Sequence, residues 1–156
     1  MTERPSQENI DQWHRWFAVE CNNTAWDLIS KPERTAAEGA DMLFVAYASA
    51  YHWFKIGPEL NQARAVLLLA HTHSMLGQGE QAMQYAHSAL PYFQAGNGED
   101  WDLAFAHLEV ALAAAVSGDR ESHAHHYRLA RELGEAIHEA EDQEIYLKEF
   151  SRIPVP

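Results

Sequence analysis

A Leu or Val followed by a second apolar residue recurs at Leu28-Ile29, Leu69-Ala70 and Val110-Ala111, each pair 41 residues after the last. A second series, Ala48, Ala89 and Ala130, keeps the same step. Two series locked to one period restrict the chain to a repeat architecture, in which each unit buries its apolar face only by stacking on its neighbours. Helix-forming Ala, Leu, Glu and Gln are plentiful and β-branched residues few, so the repeated unit is predicted to be a helical hairpin.

Helix boundaries follow from local signals. Trp13, Trp16, Phe17, Cys21, Ala25 and Leu28 recur at helical spacing and predict a first helix from about residue 8 to 29, with these side chains as its buried stripe. Ser30-Lys31-Pro32 ends it. Thr35 with Glu38 three residues later is a capping-box signature, opening a helix that stops at Ile56-Gly57-Pro58. Further helices are predicted over about 59–76, 80–94, 100–116 and 120–139, separated by Gly77-Gln78-Gly79, Gly96-Asn97-Gly98 and Ser117-Gly118-Asp119, with Pro91 loosening the end of the fourth. A short helix over 142–150 caps the stack through Ile145, Tyr146 and Phe150. The expected fold is all-α, about seven helices in one domain over 1–156, with hairpins at about 8–56, 59–95 and 99–139. Short loops make consecutive helices antiparallel, which places helices one, three and five in one layer and two, four and six in the other.

The hairpin from Ala63 to Leu90 carries Leu69-Ala70, a Gly77 turn, Ala82, Tyr85, Ala86 and Ala89; the next repeats this with Val110-Ala111, Gly118-Asp119, Ala124, Tyr127 and Ala130. This pattern resembles the tetratricopeptide class of helix-turn-helix repeats. It covers residues 59–134 well and the first hairpin loosely. The step of 41 exceeds the roughly 34 residues of that class, and longer helices and the 94–102 connection take up the excess. The resemblance implies a right-handed superhelix whose first helices line a concave groove that holds a peptide or partner protein.

The charge balance limits the partners. With 11 basic and 23 acidic side chains the formal net charge is −12, so nucleic acid and anionic membrane surfaces are expected to be repelled. No apolar run suits a membrane span, the N-terminus has no signal-peptide pattern, and the single Cys21 reads as a small buried residue. A cytoplasmic protein is the resulting expectation.

Polar residues on the predicted inner helices are the candidate binding groups. Glu20, Asn22 and Asn23 lie mid-helix between Trp16 and Trp26, where Asn competes for backbone hydrogen bonds; they either satisfy buried partners or face a ligand. Arg64 and Asn61 are placed to receive a carboxylate in the groove, or Arg64 to pair with Glu20. Ten histidines are present, but no HExxH or Cys/His quartet is. His71 and His73 point roughly 200° apart, so a metal would need a set such as His71, His107 and Glu20 assembled across helices. The Ser122–His126 run reads as a solvated face, Trp101 as a helix anchor, and Tyr47, Tyr51, His52 and Trp53 as packing between hairpins.

These residues predict a non-enzymatic binding module whose groove uses Trp13, Glu20, Asn23, Trp26, Arg64, His71 and His107 for a peptide, a protein partner or a small polar ligand, with no cofactor. The alternative is a small metal-dependent or acid–base enzyme built on His71, His107 and Glu20. Exposed aromatics would make the chain a homo-oligomer.

Overall fold

The computed structural model describes residues 4–156. These form seven helices and no strand: α1 (Gln7–Ser30), α2 (Ala36–Ile56), α3 (Glu59–Met75), α4 (Gly79–Gln94), α5 (Asp100–Ser117), α6 (Arg120–Glu135) and α7 (Ala140–Phe150). The chain is a stack of antiparallel hairpins, each helix packed on the next. No helix among the described residues is long and apolar enough to cross a membrane.

Local chemistry sets the boundaries. Ser6 caps α1 by accepting the Asn9 amide at 3.2 Å. Thr35 and Glu38 form the expected capping box on α2, each side chain accepting the other residue's backbone N–H; such a cap typically contributes about 1 kcal/mol. Gly118 ends α5 at φ 76°, a conformation that costs a side-chain-bearing residue energy. Pro91 does not end α4, which runs on to Gln94. The sixth helix stops four residues short of its predicted end. Gln143 Nε2 donates to the Gly134, Glu135 and Ile137 carbonyls, and the Ile137 side chain enters the core, so the chain turns at Ala136 rather than continuing.

Alanines make the interior tight. Ala25, Ala46 and Ala65 join Ile29, Met42 and Leu69 between α1, α2 and α3; Ala70, Ala86, Ala89 and Ala106 join Phe93 and Val110 one hairpin on. Side chains this small let helix backbones approach closely. The buried positions also correct the constant step. Ala48 is only half-buried, while Ser49 is fully buried and donates to the Ala18 carbonyl at 2.8 Å. Burial thus matches Ser49 with Ala89 and Ala130, and Ala25 with Ala65 and Ala106, a step of 40 and then 41.

Among the described residues the α3 backbone approaches both α1 and α5, whereas α2 and α4, and α4 and α6, keep their backbones apart and meet only through side chains such as Tyr47–Tyr85 and His87–His126. The odd-numbered helices therefore form the crowded layer and the even-numbered ones splay. At the far end α7 packs on α5 and α6. Its buried Tyr146 hydroxyl donates to the Ala130 carbonyl at 2.8 Å, with the Ala104 carbonyl at 3.1 Å. The first hairpin differs from expectation. Trp13, Trp16 and Phe17 are exposed, and Tyr51 is exposed where packing between hairpins is expected; Tyr47, though also partly exposed, does bridge the hairpins, its hydroxyl meeting Tyr85 on α4 at 3.0 Å as well as His73 on α3. In α1 the buried line runs instead through Ala18, Ala25 and Ile29, one helical face away from the Trp13–Phe17 stripe.

Candidate functional site

The seven expected site residues separate into distinct places. Trp26, Arg64 and His71 gather on the crowded face of α1, α3 and α5. Glu20 and Asn23 are exposed on α1, and Trp13 is exposed near its start. His107 is buried on the other side of α5, where its Nδ1 meets the His126 Nδ1 at 2.8 Å. The reason is angular. Trp26 shares its helical face with Asn22 and Val19, whereas Asn23 lies about 60° and Glu20 about 120° around the helix, on its exposed side.

Arg64 organises the groove. Its Nε and Nη2 donate to the two Asp102 carboxylate oxygens at 2.9 and 2.8 Å, not to Glu20. Its guanidinium lies 4.5 Å from the Trp101 ring centroid, a cation–π contact. Asp102 is buried and also accepts the Glu99 amide at 2.8 Å, which fixes the first turn of α5. This fork-to-fork pair is strong and directional. Trp101 is thus a wall of the groove as well as an anchor. A cavity of about 220 Å³ lies here, lined by Asn22, Trp26, Arg64, Trp101, Phe105 and Glu109 among others. A second, of about 190 Å³, shares Asn22 and Arg64 and extends the groove to Val19, Trp53 and Asn61. A larger cavity of about 610 Å³ lies between the α5–α6 turn and the chain's last residues, lined chiefly by Ala, Leu, Val and Pro. The groove holds the structured ion pairs and is the better candidate on chemical grounds.

Beneath the groove His71 Nδ1 meets Glu109 Oε1 at 2.9 Å and Oε2 at 3.2 Å, with both residues buried. Burial alone lowers the His71 pKa, but the Glu109 charge and hydrogen bond outweigh it and the net shift is upward. Burial likewise pushes the Glu109 carboxyl up despite its histidine partner. Both directions favour the net-neutral pair, which keeps its extra proton because losing it would leave a bare negative charge in the interior. The His71 Nε2 has no hydrogen-bond partner, and the Trp26 ring lies 5.2 Å from the imidazole. His73, two residues on, points to α2, as the spacing required. Its Nδ1 donates to Gln78 Oε1 at 2.6 Å, so its Nε2 accepts the Tyr47 hydroxyl at 2.9 Å.

Histidines between α4, α5 and α6 form a separate group. The His126 pKa falls to about 4, through burial first and then the neighbouring His107, His125 and His87, with Asp119 opposing. The His107 pKa is lowered by burial and then by His125. The Ser122–His126 run is therefore not simply a solvated face: His123 is buried and its Nε2 donates to the Pro154 carbonyl at 2.8 Å. Among the described residues no three His, Cys, Asp or Glu side chains are arranged to hold a metal ion. The set Glu20, His71 and His107 does not assemble. Burial and then Glu20 raise the Cys21 thiol pKa, the opposite of what a nucleophilic thiolate needs.

Asp102 and Glu109 are the groove residues that sequence reasoning left out of the site. Each carried a signal. Glu109 is the one carboxylate in a run from Leu103 to Val116 that is apolar but for it and His107, and a carboxyl there needs a partner. Asp102 stands three residues after Glu99, in place to accept the N-cap amide. No family model matches the chain, and no curated protein or solved structure matches it.

Proposed function

We propose that the chain is a tetratricopeptide-like, non-enzymatic binding module whose groove on α1, α3 and α5 takes a carboxylate-bearing peptide segment or small polar acid. The observation that carries this reading is the row Asn22, Asn61 and Arg64 along one continuous groove, beside the rings of Trp26, Trp53 and Trp101. Asp102 occupies the Nε and Nη2 edge of Arg64; the Nη1 edge and the two amides supply donors to a ligand carboxylate. Aromatic walls add apolar contact area at little entropic cost.

The test is a titration with matched peptides bearing a free or an amidated C-terminus, followed by the NMR signals of the tryptophan indole N–H groups. Free-acid peptides should shift Trp26 and Trp101, and Asn61→Ala and Arg64→Lys should each weaken binding. Arg64→Lys keeps a charge beside Asp102 but loses the fork geometry. If no peptide moves those indoles, or both variants bind as the parent does, the groove is not the site. The acid–base alternative needed Glu20, His71 and His107 together, and its remaining element is the His71–Glu109 pair.

A further inference from the structure

The exposed face of α2 carries Phe44, Tyr47, Tyr51 and Phe54, which are 70%, 40%, 57% and 56% exposed. Their spacing of three, four and three residues places them on one stripe of the helix. Over Met42–Phe54 there is no Asp, Glu, Lys or Arg, in a chain whose formal net charge is −12. Isolated exposed rings need no explanation, but a continuous uncharged aromatic seam does.

The seam is its own mirror. Read in either direction it is Phe, Tyr, Tyr, Phe at the same spacing. A two-fold interface requires this self-complementarity, because each copy must present the same patch to the other. We propose that α2 docks antiparallel on α2 of a second copy of this chain, setting Phe44 against the partner's Phe54 and Tyr47 against the partner's Tyr51.

Charge and area fit this occupant. Asp41 and Lys55 flank the two ends of the seam, fourteen residues apart, so both stand on the same side of the helix. Antiparallel docking brings each Lys55 beside the partner's Asp41. Neither residue takes part in an ion pair among the described residues, and Lys55 Nζ rests 5.1 Å from the Tyr51 ring centroid. At about 200 Å² of surface for a large aromatic, these exposures leave roughly 450 Å² of ring surface on each copy. A pair then covers about 900 Å² before flanking atoms are included, close to the ~1,000 Å² at which specific interfaces begin. An interface of this size belongs to the weak, reversible class. The adjoining Phe17, whose ring stacks on His52 at 5.4 Å, widens the surface beside Tyr51.

Sedimentation equilibrium on the whole chain, from low to high micromolar concentration, tests the proposal. The parent chain should show a monomer–dimer equilibrium. Phe44→Glu should weaken it at least about tenfold, and thermal melting at a dilution where both proteins are monomeric should be unchanged because the ring is exposed. Lys55→Asp should weaken dimerisation, and Asp41→Lys with Lys55→Asp should recover it. A parent chain that is monomeric throughout would show that something other than a second copy covers the seam and overturn the proposal. So would a dimer indifferent to Phe44→Glu, or a double charge reversal that recovers nothing.

Discussion

The His107–His126 contact makes stability fall on mild acidification, and its size can be worked from the structure. His126 sits among His107 on α5, His87 on α4 and His125 on its own helix, with Asp119 the opposing charge, and its pKa is lowered from 6.5 to about 4. Below pH 6.5 the unfolded chain takes up a proton here that the folded chain refuses until about pH 4. Stability is therefore complete above 6.5 and lost as the pH falls toward 4. At 1.36 kcal/mol per pH unit the full displacement sets a ceiling of about 3.4 kcal/mol, of which about 2 is reached by about pH 5. The ring is only half-buried, and solvent screening brings the expected loss to about 1 kcal/mol. Urea unfolding of the parent and of His126→Gln at about pH 7.5 and about pH 5 measures it. Comparing the two proteins cancels contributions common to both, including the opposite one from His71, whose pKa is raised, and the easing of general acidic repulsion. The parent should lose about 1 kcal/mol more than the variant. Because His107 also loses its neighbour in the variant, the difference reports the pair. Equal losses in both proteins would refute the reasoning.

Two further substitutions probe the interior. Glu109→Ala should cost about 3–5 kcal/mol by denaturant unfolding, because His71 would remain buried without its partner; Glu109→Gln should cost less, and a cost below about 1 kcal/mol for the alanine variant would contradict an energetically coupled pair. Gly134→Ala should cost about 1–3 kcal/mol and loosen α7, since a Cβ there would fall inside contact distance of the Tyr146 ring, whose Cδ1 lies 2.6 Å from it. A rise in hydrogen exchange confined to α7 is the expected signature, and unchanged exchange would count against Tyr146 as the anchor.

The groove was partly legible in the sequence. Trp26, Arg64 and His71 stood out because an indole, a guanidinium and an imidazole interrupt apolar helix faces, and all three converge. Glu20 and Asn23 stood out for the same reason and yet face away. Being polar in mid-helix marks a residue without saying which way it points; that depends on where the buried face of α1 lies. Periodicity points to the Trp13, Trp16 and Phe17 stripe as that face, but the small side chains of Ala18 and Ala25 are what the neighbouring helices can approach. Large aromatics carry the strongest periodic signal, and here the strongest signal marks an open surface.

The helices, their order and their pairing can be read from the chain alone, because Gly and Pro breaks, caps and short loops act within a few residues of where they stand. The repeated small-residue pattern likewise requires the hairpins to stack. Which polar groups meet depends on how the helices pack. Arg64 chose Asp102 over Glu20, His71 took Glu109, and His107 turned to His126. Each choice was settled by the rotation of α5 against its neighbours, to which no local signal in the chain gives access.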